Sequence, residues 1–133
     1  MNQTLGKEYK LCSQKIIEQI FEEKRTVKQF PFVINYRFAE LPSTKPFQIV
    51  ISAPKRIFRK AHDRNRIKRL CRETIRKNKY ILEEYLIEHN KQIALFFVYT
   101  NKEEMEYEVL FKKTEQLFKK LIQEISNLEL QKK

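Results

Sequence analysis

The 133-residue chain contains a single glycine, Gly6. P-loops and dinucleotide-binding turns need several glycines, because the backbone itself must approach phosphate closely, so both are excluded. Cys12 and Cys71 are too few for a disulfide framework and read as reduced thiols. His62 and His89 lie far apart, without a Cys, Asp or Glu set at metal-ligand spacing. The longest apolar run, "IALFFVY", is far short of a bilayer span. The opening "MNQTLGKEYK" lacks the apolar segment of a secretory signal. A cytoplasmic protein with no membrane partner is expected.

Acid is also in short supply. There are 17 Asp and Glu against 28 Lys and Arg, a formal net charge of +11. Between Lys55 and Lys79 stand twelve basic residues and only two acids, Asp63 and Glu73, so this one segment holds nearly the whole excess. Such a concentration points to a polyanionic partner, with nucleic acid ahead of an anionic membrane surface.

What is present suffices for one small folded domain covering residues 1–133, with 41% hydrophobic residues and ten Phe and six Tyr. "SQKIIEQIFEEK" spaces Ile16, Ile17, Ile20 and Phe21 as an amphipathic helix, with Ser13 as N-cap. "FPFVINYRF" alternates Phe30, Phe32, Ile34, Tyr36 and Phe38 with the period of a strand. "ELPSTKP" is a turn, and "FQIVISA" is a second strand stopped by Pro54. A long helix is expected over about Asp63 to His89, with Asp63 as N-cap. "QIALFFVYT" suits a central strand with both faces covered. A last helix is expected over about Glu106 to Asn127, its start charged by Glu103, Glu104, Glu106 and Glu108 rather than binding metal. Residues 1–8 and 128–133 are expected to be loosely held. The class is α+β: a sheet of about four strands covered by three helices.

At 100° per residue, the long helix divides into two arcs. Ile67, Leu70, Cys71, Thr74, Ile75 and Asn78 form one, which docks on the sheet; this makes Cys71 a core residue rather than a nucleophile. Asn65, Lys68, Arg69, Arg72, Arg76 and Lys79 form the other, which faces out and contains no acid. Glu73 sits between the arcs, within reach of Arg69, Arg76 and Lys77. Self-repulsion along an acid-free face opposes folding, so the face reads as a binding surface. Arginine at 64, 66, 69, 72 and 76 favours phosphate, because a guanidinium fork engages two oxygens at once.

"RNRIKRLCRE" resembles the Arg-Asn-Arg signature of the bacterial ribonuclease P protein family. The flanks are similar too: "EYKLCSQKIIEQIFEEKRTVK" resembles that family's first helix and its lead into strand one, and "FQIVISAPKR" resembles the strand ending in a basic pair ahead of the signature. The resemblance covers about residues 7–125. Two departures are visible. Phe58 stands where the family commonly has Gly, with a spacing to Arg64 one residue longer. Ile17 and Phe21 stand where two aromatics are common.

The resemblance implies an α/β sandwich with a left-handed βαβ crossover. It also implies a protein that assists an RNA catalyst, with no catalytic or metal-binding side chains of its own. The RNA subunit would carry the chemistry, with Mg²⁺ held mainly by that RNA and the substrate. Removal of the 5′ leader from precursor tRNA is the implied reaction. Arg64, Asn65, Arg66, Lys68, Arg69, Arg72 and Arg76 would grip the RNA subunit. The leader would lie in a cleft between the first helix and the sheet, lined by Ile17, Phe21, Phe32, Tyr36, Lys55 and Arg56, where aromatic rings can stack on unpaired bases. Precursor tRNA and the RNA subunit are the implied partners, with no obligate protein partner. Another basic RNA-binding module, such as a ribosome-associated factor, is the alternative. A membrane-surface protein would need the helix's apolar arc for lipid, and a self-sufficient nuclease lacks candidate catalytic residues.

Overall fold

The computed structural model describes residues 5–131. A 3-10 turn at Lys7–Tyr9 leads into α1 (Gln14–Glu23). Then follow β1 (Thr26–Gln29), β2 (Phe32–Phe38), β3 (Phe47–Ser52), α2 (Ala61–Glu88), β4 (Ile93–Tyr99) and α3 (Tyr107–Gln131). The turn at Lys7–Tyr9 overlaps the end of segment 1–8, and α3 continues to Gln131, inside segment 128–133. The remainder of those two segments lies outside the described residues.

The four strands form one mixed sheet in the order β1-β2-β4-β3. β2 pairs antiparallel with β1 and with β4, while β3 lies parallel to β4 at the edge. A parallel neighbour requires a crossover, and α2 supplies it. β4 is therefore internal, as its two-faced apolar sequence suggested. The separate β1 was not anticipated; a turn containing the cis Phe30–Pro31 peptide folds it back on β2.

Strand alternation divides the sheet into two faces. Phe32, Ile34 and Tyr36 of β2, Phe47 and Ile49 of β3, and Leu95, Phe97 and Tyr99 of β4 face α2 and α3. There they meet Ile67, Cys71, Ile75, Leu82 and Leu86 of α2 and Leu117, Phe118, Leu121 and Ile125 of α3. The other face carries a smaller cluster under α1, built on Ile20, Leu11, Leu41 and Ala94, with Ile16, Ile17, Val50 and Phe96 partly buried around it.

Helix ends follow local chemistry. The Ser13 side chain accepts the Ile16 N–H at 3.3 Å, the N-cap expected from sequence. α1 stops where Lys24 enters the left-handed region at φ 57°. Asn90 does the same just past α2, a position asparagine tolerates well. Asp63 is not an N-cap: α2 begins two residues earlier, behind Lys60, which has no capping side chain. Asp63 instead sits in the first turn, 3.1 Å from His62 Nε2.

Between α2 and α3 the packing includes a polar seam. The Thr74 and Thr114 hydroxyls lie 2.9 Å apart, and Asn78 Nδ2 donates to the carbonyls of Thr74 and Phe111. The hydroxyl and NH2 donors of this seam are satisfied by backbone carbonyls, while the buried Asn78 Oδ1 has no partner among the described residues.

Candidate nucleic-acid interface

The long helix presents the expected charged face, but the fold treats its cations differently. Asn65, Arg66, Arg69 and Arg72 are exposed, and Arg64, Lys68 and Arg76 are half-buried. Arg64 Nη1 donates to the carbonyls of Phe58 and Arg59 at 2.9 and 3.0 Å, bracing the loop that enters α2. Arg66 forms a two-pronged pair with Glu104: Nε lies 2.6 Å from Oε1 and Nη2 lies 3.1 Å from Oε2. Arg76 grips Glu73 in the same way, with its Nε 3.1 Å from Oε2. That hydrogen bond holds the Glu73 carboxyl below its ordinary pKa. Lys68, Arg69 and Arg72 pair with no carboxylate among the described residues.

Lys79 does not belong to this face. It is only 6% exposed. Its Nζ donates to the Tyr9 hydroxyl at 3.1 Å, lies 4.4 Å from the centre of that ring, and approaches Glu83 at 3.6 Å. The chain's first segment folds over α2 here and turns an outward cation into an anchor. Burial, and then the Glu83 charge, push the Tyr9 hydroxyl up to about 12. Leu70 is partly buried rather than fully so, while Ile67, Cys71 and Ile75 are core. Burial raises the Cys71 thiol to about 12, which leaves no thiolate for chemistry near neutral pH.

The second expected surface is the sheet face that carries α1. Ile17 is half-buried beneath that helix, and Phe21 is 47% exposed at its rim. The Phe21 ring meets Phe96 edge-on, with centroids 4.9 Å apart. Phe32 and Tyr36 are not here. Both are fully buried on the opposite face, Phe32 against Phe97 and Tyr99, so neither can stack on a base in a cleft under α1. The reason is parity: even-numbered β2 residues point to α2 and α3.

The α1 side instead receives Val33, Asn35 and Arg37, which sequence reasoning missed. Cross-strand partners extend this floor. Val33 lies opposite Val98, itself opposite Ser52; Asn35 lies opposite Phe96, itself opposite Val50. These six residues are all half-buried. The result is an open, largely apolar floor with one aromatic ring in it and another at its rim. Arg37 is tied to Glu23 at 2.6 Å. Lys55 and Arg56 are exposed in the turn that follows β3, just past the Ser52 end of the floor. That turn is closed by the Pro54 carbonyl, which accepts the N–H groups of Ile57 and Phe58. Phe58, at the position the resemblance marked as a departure, is buried and packs near Tyr99.

No helix among the described residues is long and apolar enough to cross a membrane.

Comparison with known proteins identifies the family and the fold. The sequence profile of the Ribonuclease P family matches residues 5–122. A ribonuclease P protein component from Porphyromonas gingivalis is 30% identical over 99 residues, covering 74% of this chain and 72% of that protein. One from Lactobacillus helveticus is 38% identical over 75 residues, covering 56% and 60%. The fold is similar to the ribonuclease P protein of Thermotoga maritima, with a TM-score of 0.66 and 22% identity over 84% of this chain and 96% of that one. The Staphylococcus aureus protein gives a TM-score of 0.61 and 20% identity over 84% and 93%. With a profile match over most of its length and relatives that carry the same function name, the chain belongs to the ribonuclease P protein family.

Proposed function

We propose that this chain acts as the protein component of a ribonuclease P whose RNA subunit performs the cleavage. The exposed face of α2 binds that RNA subunit. The floor beneath α1 holds the single-stranded 5′ leader of precursor tRNA. One observation carries the reading: Lys68, Arg69 and Arg72 pair with no carboxylate among the described residues, while a separate, largely apolar floor with aromatic groups lies across the sheet. Cations without internal partners favour phosphate and set a salt-dependent affinity. Apolar and aromatic surface with cations at its end suits unpaired bases joined by phosphates.

No group of three His, Cys, Asp or Glu side chains that could hold a metal occurs among the described residues. This reading leaves Mg²⁺ to the RNA subunit and substrate. It places the protein in the cytoplasm, where its RNA partners are made. The family match disfavours a ribosome-associated factor. Reconstitution tests the proposal: protein, the host's ribonuclease P RNA and precursor tRNA at low Mg²⁺. The expected result is faster cleavage at the mature 5′ end than with RNA alone. An equal rate with and without protein would overturn it.

A further inference from the structure

The edge of the sheet carries a third basic feature. The first segment crosses β3 through a bridge between Lys10 and Ile49, in which the Leu11 N–H donates to the Ile49 carbonyl at 3.1 Å. Between that segment and α2 lies a groove of about 520 Å³. This is within the range of roughly 300–1,000 Å³ typical of small-molecule sites. Its rim carries Lys7, Lys10, Lys68 and Arg72, and none of its lining residues is acidic. None of the four cations is paired with a carboxylate among the described residues. The other large groove mixes Glu40 and Glu83 with Lys45 and Lys91, so its charges largely cancel.

The floor of the β3-edge groove is aliphatic: partly buried Ile51 lies open to it, with the nearly covered Leu11 and Ile49 beside it. Ile49 turns its carbonyl to the outer edge, toward Leu11. Ile51, two residues on, turns its backbone the same way, with no strand beside it among the described residues. The groove thus combines four cations, an apolar floor and free backbone hydrogen-bonding groups. A nucleic-acid duplex would offer it phosphates and sugars and leave the floor wet. An unpaired nucleotide offers a phosphate for the rim, a flat base for the floor, and a base edge for the Ile51 backbone.

We infer that this groove binds an unpaired nucleotide of the RNA subunit, so that Lys7 and Lys10 extend the α2 contact around the edge of β3. The inference rests on the reading that α2 binds that RNA. The RNA subunit is chosen over the leader because Lys68 and Arg72 belong to the α2 face, whereas the leader floor ends at Lys55 and Arg56, beyond the last residue of β3.

The test measures binding to the RNA subunit alone as a function of salt, for wild type, Lys7→Ala/Lys10→Ala and Arg69→Ala. Loss of two phosphate contacts should weaken binding and reduce the log–log salt slope by about 2. The ratio of affinities for precursor and mature tRNA in the holoenzyme should not change. A photo-crosslinker on Cys12 gives a second readout. Cys12 is exposed and follows Leu11, while Cys71 is buried, so labelling is confined to one site. In the holoenzyme the crosslink should map to an unpaired stretch of the RNA subunit. Unchanged affinity and slope in the double variant would overturn the inference. So would a loss seen only with leader-bearing substrate, or crosslinks confined to paired nucleotides. If Arg69→Ala weakens binding and the double variant does not, the groove inference fails while the α2 reading stands. If neither variant does, the α2 reading itself fails.

Discussion

Phe21→Ala separates a leader contact from a structural one, because the ring is only partly engaged by the fold. It is 47% exposed, and among the described residues its aromatic neighbour is Phe96, at 4.9 Å and edge-on. Truncating a fully buried phenylalanine costs about 3–5 kcal/mol. A half-exposed ring loses about half of that, on the order of 2 kcal/mol, which lowers the melting temperature without unfolding the domain. A base stacked on the ring contributes about 1–3 kcal/mol. At roughly 1.4 kcal/mol per decade, its loss weakens leader binding about 5- to 150-fold. The assay is a pair of dissociation constants for the holoenzyme, with precursor and with mature tRNA, beside a thermal melt of the protein. The expected result is a loss confined to the precursor. Phe118→Ala is the control: Phe118 is fully buried under the opposite face, so it should lower the melt further and leave the precursor-to-mature ratio alone. Tyr36→Phe should leave that ratio unchanged too, since Tyr36 also lies beneath α2 and α3. Equal losses for both tRNAs in Phe21→Ala, or a ratio that moves with Tyr36→Phe, would refute the assignment of the leader to the α1 side.

Arg69→Ala should reduce the salt slope of RNA-subunit binding by about 1, whereas Glu104→Gln should strengthen that binding by releasing Arg66 from its internal partner; titrations at several salt concentrations measure both. Lys79→Ala should free the first segment: amide exchange at Leu11 should accelerate and the melting temperature fall, with loss of a charged hydrogen bond to Tyr9 of about 1.5–3 kcal/mol, while the RNA salt slope stays fixed. Stability should decline in alkali. Cys71, Tyr9 and Tyr36 all have folded pKa values of about 12, above their ordinary values of 9.0, 10.0 and 10.0. Above those ordinary values the unfolded chain has released protons that the folded chain still holds, so unfolding is favoured progressively as pH rises from about 9 toward 12. Cys71→Ala should remove the earliest part of that decline in a pH series of denaturant melts.

The period of β2 was legible in the sequence, but the side of the sheet on which each set of residues falls was not. Alternation from Phe30 to Phe38 gives a strand, and the aromatic members draw attention to themselves as stacking candidates. Those same members are the ones large enough to fill the core under two long helices, and Phe32 and Tyr36 are used that way. The surface set, Val33 and Asn35, is small and chemically quiet, and it becomes a floor only because β4 and β3 place Phe96, Val98, Val50 and Ser52 beside it. Strand order creates that juxtaposition. The clue available in one dimension was β4 itself: a strand apolar on both faces needs a cover on each, so one of its aromatics had to face α1. Phe96 does, and it meets Phe21.

The helical wheel of α2 had the same strength and the same blind spot. It separated Ile67, Cys71 and Ile75 from Arg69 and Arg72 correctly, because one helix's geometry decides that division. It placed Lys79 outside because a wheel does not show what a distant segment covers. Tyr9 comes from 70 residues away and brings an aromatic ring and a hydroxyl to that cation. Arg66 likewise gains Glu104 from beyond the helix, whereas Glu73 holding Arg76 is a pair the wheel did show. Arg64, Arg66, Arg76 and Lys79 are thus stabilised within the folded chain. Lys68, Arg69 and Arg72 pair with no carboxylate among the described residues, and their mutual repulsion opposes folding until an anion arrives. Any partner that neutralises them therefore also stabilises the helix that presents them. Binding to RNA should accordingly raise the melting temperature of this domain most at low salt, where that repulsion is least screened.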